Sequence, residues 1–242
     1  MNTFEQVKQI IQQGSNIVFF GGAGVSTASG IPDFRSATGM YNQKTGNDYS
    51  PEYMLSHTFF TEHPKEFYDY LRNNLYYPGA QPNDAHKALA KLEKDGKLNA
   101  VVTQNIDGLH QAAGSKNVIE FHGSSNRFHC MKCKKEYPAK LVYASENVPK
   151  CDACGGLVRP DIVLYEEPID MGVYERAIEA VSSADILIVG GTSLVVYPAA
   201  GLLSYYNKDK LILINQETTA NDSAADYTLK GDISKILKDL VS

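Results

Sequence analysis

Cysteine is sparse in this chain of 242 residues: there are four, all between positions 130 and 154. A disulfide-stapled scaffold spreads its cysteines through a small chain, so that class is excluded and these four read as ligands. Positive charge is not in excess either. Lys and Arg number 23 against 28 Asp and Glu, a formal net charge of -5, which argues against nucleic acid as the main partner. No apolar run approaches the roughly 20 residues that span a bilayer. The opening MNTFEQVKQIIQQG puts Phe4, Val7, Ile10 and Ile11 at helical spacing and lacks the apolar block of a secretory signal. Internal repeats and low-complexity segments are absent. The expectation is a cytoplasmic protein with no membrane partner, its oligomeric state left open.

What is present is alternation. Residues 16–20, 99–103, 118–121, 185–190 and 211–215 are short apolar runs that suit strands of a parallel sheet buried on both faces. Helical patterns cover 83–95, 172–183, 198–207 and 232–241, the first starting with Asn83 and Asp84 as capping candidates and stopping before Gly96. The alternation predicts an α/β fold, a Rossmann-like doubly wound sheet. Two stretches interrupt it. Residues 37–77 hold seven tyrosines and no strand signal, and read as a loop followed by short helices over the edge of the sheet. Residues 122–160 are polar and lysine-rich and carry all the cysteines. The expected division is a sheet domain from 1–36, 78–121 and 160–242, a helical insertion at 37–77, and a zinc module at 122–159.

Cys130-x-x-Cys133 and Cys151-x-x-Cys154 form two knuckles. Each turn brings two thiolates to one ion, and two knuckles complete the tetrahedron of a closed zinc site with no open position for chemistry. The neighbouring Arg127, Lys132, Lys134, Lys135 and Lys140 read as a solvated surface rather than a nucleic-acid patch.

Strand 16–20 feeds Gly21-Gly22-Ala23-Gly24. Glycines permit positive φ and close approach to a pyrophosphate, whose oxygens backbone amides would bind. The dinucleotide fingerprint wants glycine where Thr27 stands, and an acidic strand end about 20 residues on, where residues 42–48 give no strand. The phosphate cradle is present but the dehydrogenase layout is not. Gly30 and Pro32 break any helix and bring Asp33, Phe34 and Arg35 out beside the phosphates.

Strand 99–103 runs into Gln104, Asn105 and Asp107, and strand 118–121 ends in His122. Amides, a carboxylate and an imidazole that titrates near neutrality therefore meet where parallel strands open into a ligand crevice. Thr192-Ser193 ends one later strand and suits phosphate or ribose, and Asn215-Gln216-Glu217 ends another and suits an adenosine ribose. Gly231-Asp232-Ile233 opens the last helix and would border an adenine. His86 and His110 fall inside helical patterns and read as packing or capping residues.

In this order, GAGVSTASGIPDFRS, TQNIDGLHQAAG, FHG, the two knuckles, GTSLVVYPA and INQE resemble the sirtuins, NAD-dependent protein deacylases, over nearly the whole chain. The resemblance implies a deacetylase that converts acetyl-lysine and NAD to lysine, nicotinamide and O-acetyl-ADP-ribose, with one structural zinc and acyl-lysine proteins as partners. It implies that Ala23, Thr27 and Arg35 hold phosphates and that Phe34 shields the sugar centre. Ile106 and Asp107 would bind the carboxamide, and Gln104 and Asn105 the ribose and a water. His122 would activate a ribose hydroxyl, while Thr192, Ser193, Asn215, Asp232 and Ile233 would line the adenosine side.

Two departures stand out. The family's Phe-Gly-Glu in the peptide-binding strand is here Tyr165-Glu166-Glu167, so a glutamate replaces the glycine. The Tyr-x-x-Arg of the branch selective for acidic acyl groups is here Tyr68-Asp69-Tyr70-Leu71, which favours acetyl over succinyl chains. The alternatives are mono-ADP-ribosyl transfer to protein or NAD hydrolysis in the same cleft, a non-catalytic NAD or ADP-ribose reader, and a nucleic-acid-binding zinc protein.

Overall fold

Runs such as Ile17–Gly21 and Ile186–Gly190 have no polar face to offer water, and both are buried at every position. The computed structural model describes residues 2–36, 39–42, 49–219 and 222–242. Nine strands follow along the described chain: β1 (Ile17–Gly21), β2 (Leu98–Thr103), β3 (Val118–Glu120), β4 (Gly123–Cys130), β5 (Glu136–Pro138), β6 (Val158–Ile162), β7 (Ile186–Gly190), β8 (Leu211–Asn215) and β9 (Tyr227–Lys230). Six make a parallel sheet in the order β3-β2-β1-β7-β8-β9, and the other three an antiparallel sheet, β5-β4-β6. Phe20 sits in register with Val102 on one side and Val189 on the other.

The helices are α1 (Thr3–Gln13), α2 (Pro51–Met54), α3 (His57–Glu62), α4 (Pro64–Asn74), α5 (Asp84–Lys94), α6 (Leu109–Ala112), α7 (Ala139–Tyr143), α8 (Met171–Ser183) and α9 (Ile233–Val241). Alternation along β1 sends Ile17 and Phe19 into one core with α1, α5 and α9, and Val18 and Phe20 into another with α8. Both faces of the large sheet are therefore covered, as its continuous apolar runs require.

The helical pattern at 198–207 closes instead as a tighter 3-10 helix, Ala199–Tyr205, with Gly201 inside it to weaken an α-helix. The helices of the tyrosine-rich stretch do not lie over the edge of the large sheet. Phe59, Phe60, Phe67 and Leu71 are buried with Phe128, Val158 and Ile162, so α3 and α4 pack on the small sheet and share its core. Most of the strandless reading of 42–48 lies outside the described residues; Asn42 ends a 3-10 turn, Met40–Asn42.

Candidate functional site

The order of the large sheet reverses between β1 and β7, and parallel sheets open a crevice at the carboxyl ends of their strands at such a point. A cleft of about 1040 Å³ lies there, and its far wall comes from residues 162–167 beside the small sheet. The loop after β1 makes two 3-10 turns, Ala23–Val25 and Thr27–Ser29, and Gly30 ends them at φ +83°. Gly22 has a φ of -130°, so it is not there for left-handed backbone. Close approach is the reason for these glycines. Gly24 N donates to the Gly191 carbonyl at 2.8 Å, and a Cβ on Gly24 would come within 2.8 Å of Gly191 Cα. The loops after β1 and β7 meet backbone to backbone.

The loop after β2 is held from both sides. Gln104 N donates to the Gly21 carbonyl, and Gln104 Nε2 to Thr192 Oγ1 at 3.0 Å. Thr192 N in turn donates to Asn215 Oδ1, and Asn215 Nδ2 to the Thr192 carbonyl, both at 3.1 Å. One polar chain thus ties the ends of β2, β7 and β8. Asp107 accepts from the Leu109 amide at 2.8 Å and from Ser26 Oγ at 2.7 Å, and Ser26 Oγ accepts from Asn105 Nδ2 at 3.1 Å. Burial pushes the Asp107 carboxyl above its ordinary range, and those two donors offset only part of the shift.

His122 lies 3.1 Å through Nδ1 from the Gln104 carbonyl oxygen. A carbonyl can only accept, so Nδ1 carries the proton and Nε2 keeps its lone pair. Burial pushes the imidazole below its ordinary value, and the bond to the carbonyl opposes that shift. At neutral pH this is an oriented, uncharged base at a cleft wall.

Ala23, Thr27, Phe34, Arg35, Gln104, Asn105, Ile106, Asp107, His122, Thr192, Ser193, Asn215 and Ile233 all line the one cleft. Asp232 does not; its carboxylate caps α9 by accepting from Ser234 N at 2.8 Å. Tyr68 and Leu71 are fully buried in the small-sheet core, the Tyr68 hydroxyl donating to the Val158 carbonyl, and neither lines the cleft. The apolar wall comes instead from Phe34, Leu55, Ile106, Ile162 and Leu164. Glu166 stands at φ +74°, a backbone that suits the glycine it replaces. Its carboxylate accepts from Thr58 N at 2.9 Å and Thr58 Oγ1 at 2.7 Å, which helps hold the strained residue against α3.

The sequence reading did not single out Ser26, Tyr41 or Tyr165. Ser26 lies inside a quoted motif, but a serine in a glycine loop carries no sign that its partner is 81 positions away.

The four cysteine sulfurs lie within 4.8 Å of one another, with Cys130–Cys154 and Cys133–Cys151 separations of 3.5 Å. A disulfide would need about 2.05 Å, whereas a tetrahedron of 2.3 Å zinc–sulfur bonds spaces its sulfurs by about 3.8 Å. Backbone amides of Lys132 and Cys133 point at Cys130 Sγ, and Tyr137 donates to Cys151 Sγ at 3.0 Å. The donor set fits one closed structural zinc, which Cys130, Cys133, Cys151 and Cys154 would hold. Among the described residues no helix is long and apolar enough to cross a membrane.

Known proteins share this arrangement. A family model described as the Sir2 family matches residues 22–198. An NAD-dependent protein deacetylase of Clostridium perfringens is 58% identical over 233 residues, 96% of each chain. One of Clostridium acetobutylicum is 53% identical over 242 residues, covering 100% of this chain and 99% of its own. A solved complex of a Sir2 protein with a deacetylated p53 peptide and 3'-O-acetyl ADP ribose superposes with a TM-score of 0.87. It is 38% identical and spans 97% of this chain and 96% of its own. With fold, cleft, cysteine cluster and full-length identity in agreement, the chain belongs to the Sir2 family.

Proposed function

We propose that this chain is an NAD-dependent protein lysine deacetylase, releasing nicotinamide, O-acetyl-ADP-ribose and deacetylated lysine. The observation that carries the reading is His122, an imidazole whose proton is fixed on Nδ1 and whose Nε2 is left as a base in a dinucleotide-sized cleft. A protein that only bound the dinucleotide would have no use for it.

The residues divide the work. Backbone amides of the loop after β1, with Ala23, Thr27 and Arg35, bind the pyrophosphate. Ile106 and Asp107 hold the carboxamide, with the Ser26 hydroxyl fixing one Asp107 oxygen. Gln104 and Asn105 orient the ribose, and Phe34 keeps water from its reacting carbon. When the acyl oxygen attacks that carbon, nicotinamide leaves with the bonding pair and no hydride moves. His122 Nε2 then takes the proton of a ribose hydroxyl, which attacks the acyl carbon. Water adds, the carbon–nitrogen bond breaks, and the lysine amine leaves protonated while the acetyl group stays on the ribose. Thr192, Ser193, Asn215 and Ile233 border the adenosine. The apolar wall of Ile106, Ile162 and Leu164 suits acetyl and other uncharged acyl groups.

We assign dinucleotide binding to 1–36, 78–121 and 160–242, with a helical insertion at 37–77 and a zinc module at 122–159. Four free thiols gathered as ligands fit a reducing compartment, the cytoplasm.

Mass spectrometry of an acetyl-lysine peptide, incubated with the protein with and without NAD and beside His122→Ala, tests this. The expected result is acetyl loss only with NAD, O-acetyl-ADP-ribose as co-product, and the variant slowed about 100-fold or more. Labelled protein or free ADP-ribose with the acetyl group retained would establish transfer or hydrolysis instead. No turnover of peptide or NAD across an acyl panel would sink the reading.

A further inference from the structure

The phenol of Tyr165 reaches from one wall of the cleft to the other. Its backbone is fixed on the first wall: Tyr165 N donates to the Leu55 carbonyl and its own carbonyl accepts from His57 N, both at 3.0 Å. Its hydroxyl lies 3.0 Å from the Tyr41 hydroxyl and accepts from Arg35 Nη2 at 3.3 Å. The Arg35 guanidinium sits 5.1 Å over the Tyr41 ring, and Tyr41 meets Phe34 edge-on at 5.3 Å. One guanidinium and three aromatic rings therefore converge from segments 130 positions apart.

The segment carrying Arg35 is folded back on itself. Asp33 Oδ1 accepts from Arg35 N at 3.0 Å and Ser36 N at 2.8 Å. Met40 N and Tyr41 N return to the Asp33 and Phe34 carbonyls at 2.8 and 2.9 Å. A Cβ on Gly39 would meet Arg35 N and Asp33 Oδ1 at 2.7 Å, so the return passes too close for any side chain there. These bonds fix the backbone around Arg35. The end of its long side chain is fixed elsewhere, by Tyr165 and Tyr41.

Ordering an arginine side chain costs rotamer entropy, and a ligand that finds it already ordered is spared part of that cost. We propose that Tyr165 is a positioning residue for the dinucleotide: its hydroxyl holds the Arg35 guanidinium and Tyr41 across the cleft, ready for the pyrophosphate. The proposal rests on the reading that NAD occupies this cleft. It makes a hydroxyl on the wall facing the acyl-lysine part of the machinery for the other substrate.

Calorimetry with ADP-ribose as the probe tests it, on the wild type, Tyr165→Phe, Arg35→Ala and the double variant. Tyr165→Phe removes one oxygen and is expected to weaken ADP-ribose binding roughly three- to tenfold. KM for the acetyl peptide should stay within about twofold, and the double variant should bind no more weakly than Arg35→Ala alone. Wild-type affinity in Tyr165→Phe, an equal further loss in the Arg35→Ala background, or a raised peptide KM with ADP-ribose affinity unmoved would each overturn the proposal. If the wild type binds neither ADP-ribose nor NAD, the cleft assignment fails and takes this proposal with it.

Discussion

Ser26 Oγ donates a 2.7 Å hydrogen bond to Asp107 Oδ2, joining the loop after β1 to the loop after β2 across 81 positions of sequence. That bond spends one lone pair of a carboxylate that burial already makes costly to ionise.

Asp107→Asn keeps the shape and removes the buried charge. Thermal stability is expected to hold or rise by a few degrees, while nicotinamide release falls about 10- to 100-fold through loss of a charged acceptor. A thermal scan beside a nicotinamide-release assay checks this. Release at the wild-type rate would remove Asp107 from carboxamide binding.

On the proposed mechanism the pH dependence of kcat/KM reports His122 in the free enzyme. The base works uncharged, and burial holds its pKa below the ordinary 6.5. The acid limb of the profile is therefore expected below pH 6.5, with activity flat from there through neutrality. An acid limb centred above 7 would contradict both the burial effect and the tautomer set by the Gln104 carbonyl.

His86 and His110 stack edge to face with ring centroids 4.7 Å apart, inside the core. Burial pushes His86 down to about 4, and burial with the neighbouring His86 pushes His110 down to about 3. Unfolded, each takes a proton near 6.5, so below that pH the unfolded state binds more protons and stability falls until the folded pKa is reached. Between pH 7 and 5 the loss is about 2 kcal/mol for each, or a Tm lower by on the order of 10 °C for the pair. His110→Leu should remove about half of that pH-dependent drop in thermal scans. An unchanged drop would show that the pair does not carry it.

Cys133→Ser opens the four-sulfur cluster. Zinc content measured by atomic emission is expected to fall from one ion per chain to well below one, with stability lower by several kcal/mol. Turnover should fall only as far as the folded fraction does, because a closed tetrahedral site has no position for substrate. A chain that loses its zinc and keeps its Tm would refute the structural role.

Much of this was legible from local pattern. Apolar runs 16–20 and 185–190 marked two of the sheet strands within a residue of their ends, because a strand buried on both faces needs no partner to declare it. The Cys-x-x-Cys pairs marked themselves as the ligands of one metal ion, since their spacing is fixed by the geometry of one turn around an ion. The ends of β2 and β3 delivered Gln104, Asn105, Asp107 and His122 to one cleft, as parallel strands must.

Direction and partnership were not legible. Leu71 counts as an acyl-facing residue only if α4 turns it to the cleft, and packing on the small sheet turned it to the core instead. Asp232 reads as a ligand beside a glycine until the helix that follows takes its carboxylate for a cap. The identity of Gly24 was written in the chain, but its reason, Gly191 at 2.8 Å, lies 167 positions on. Periodicity and spacing are properties of neighbouring residues; they marked strands of the large sheet and the zinc knuckles, while the family was read from the resemblance of whole motifs. Which nitrogen of His122 holds the proton, and which hydroxyl holds Arg35, depend on atoms brought together by packing, and only the tertiary structure decided those.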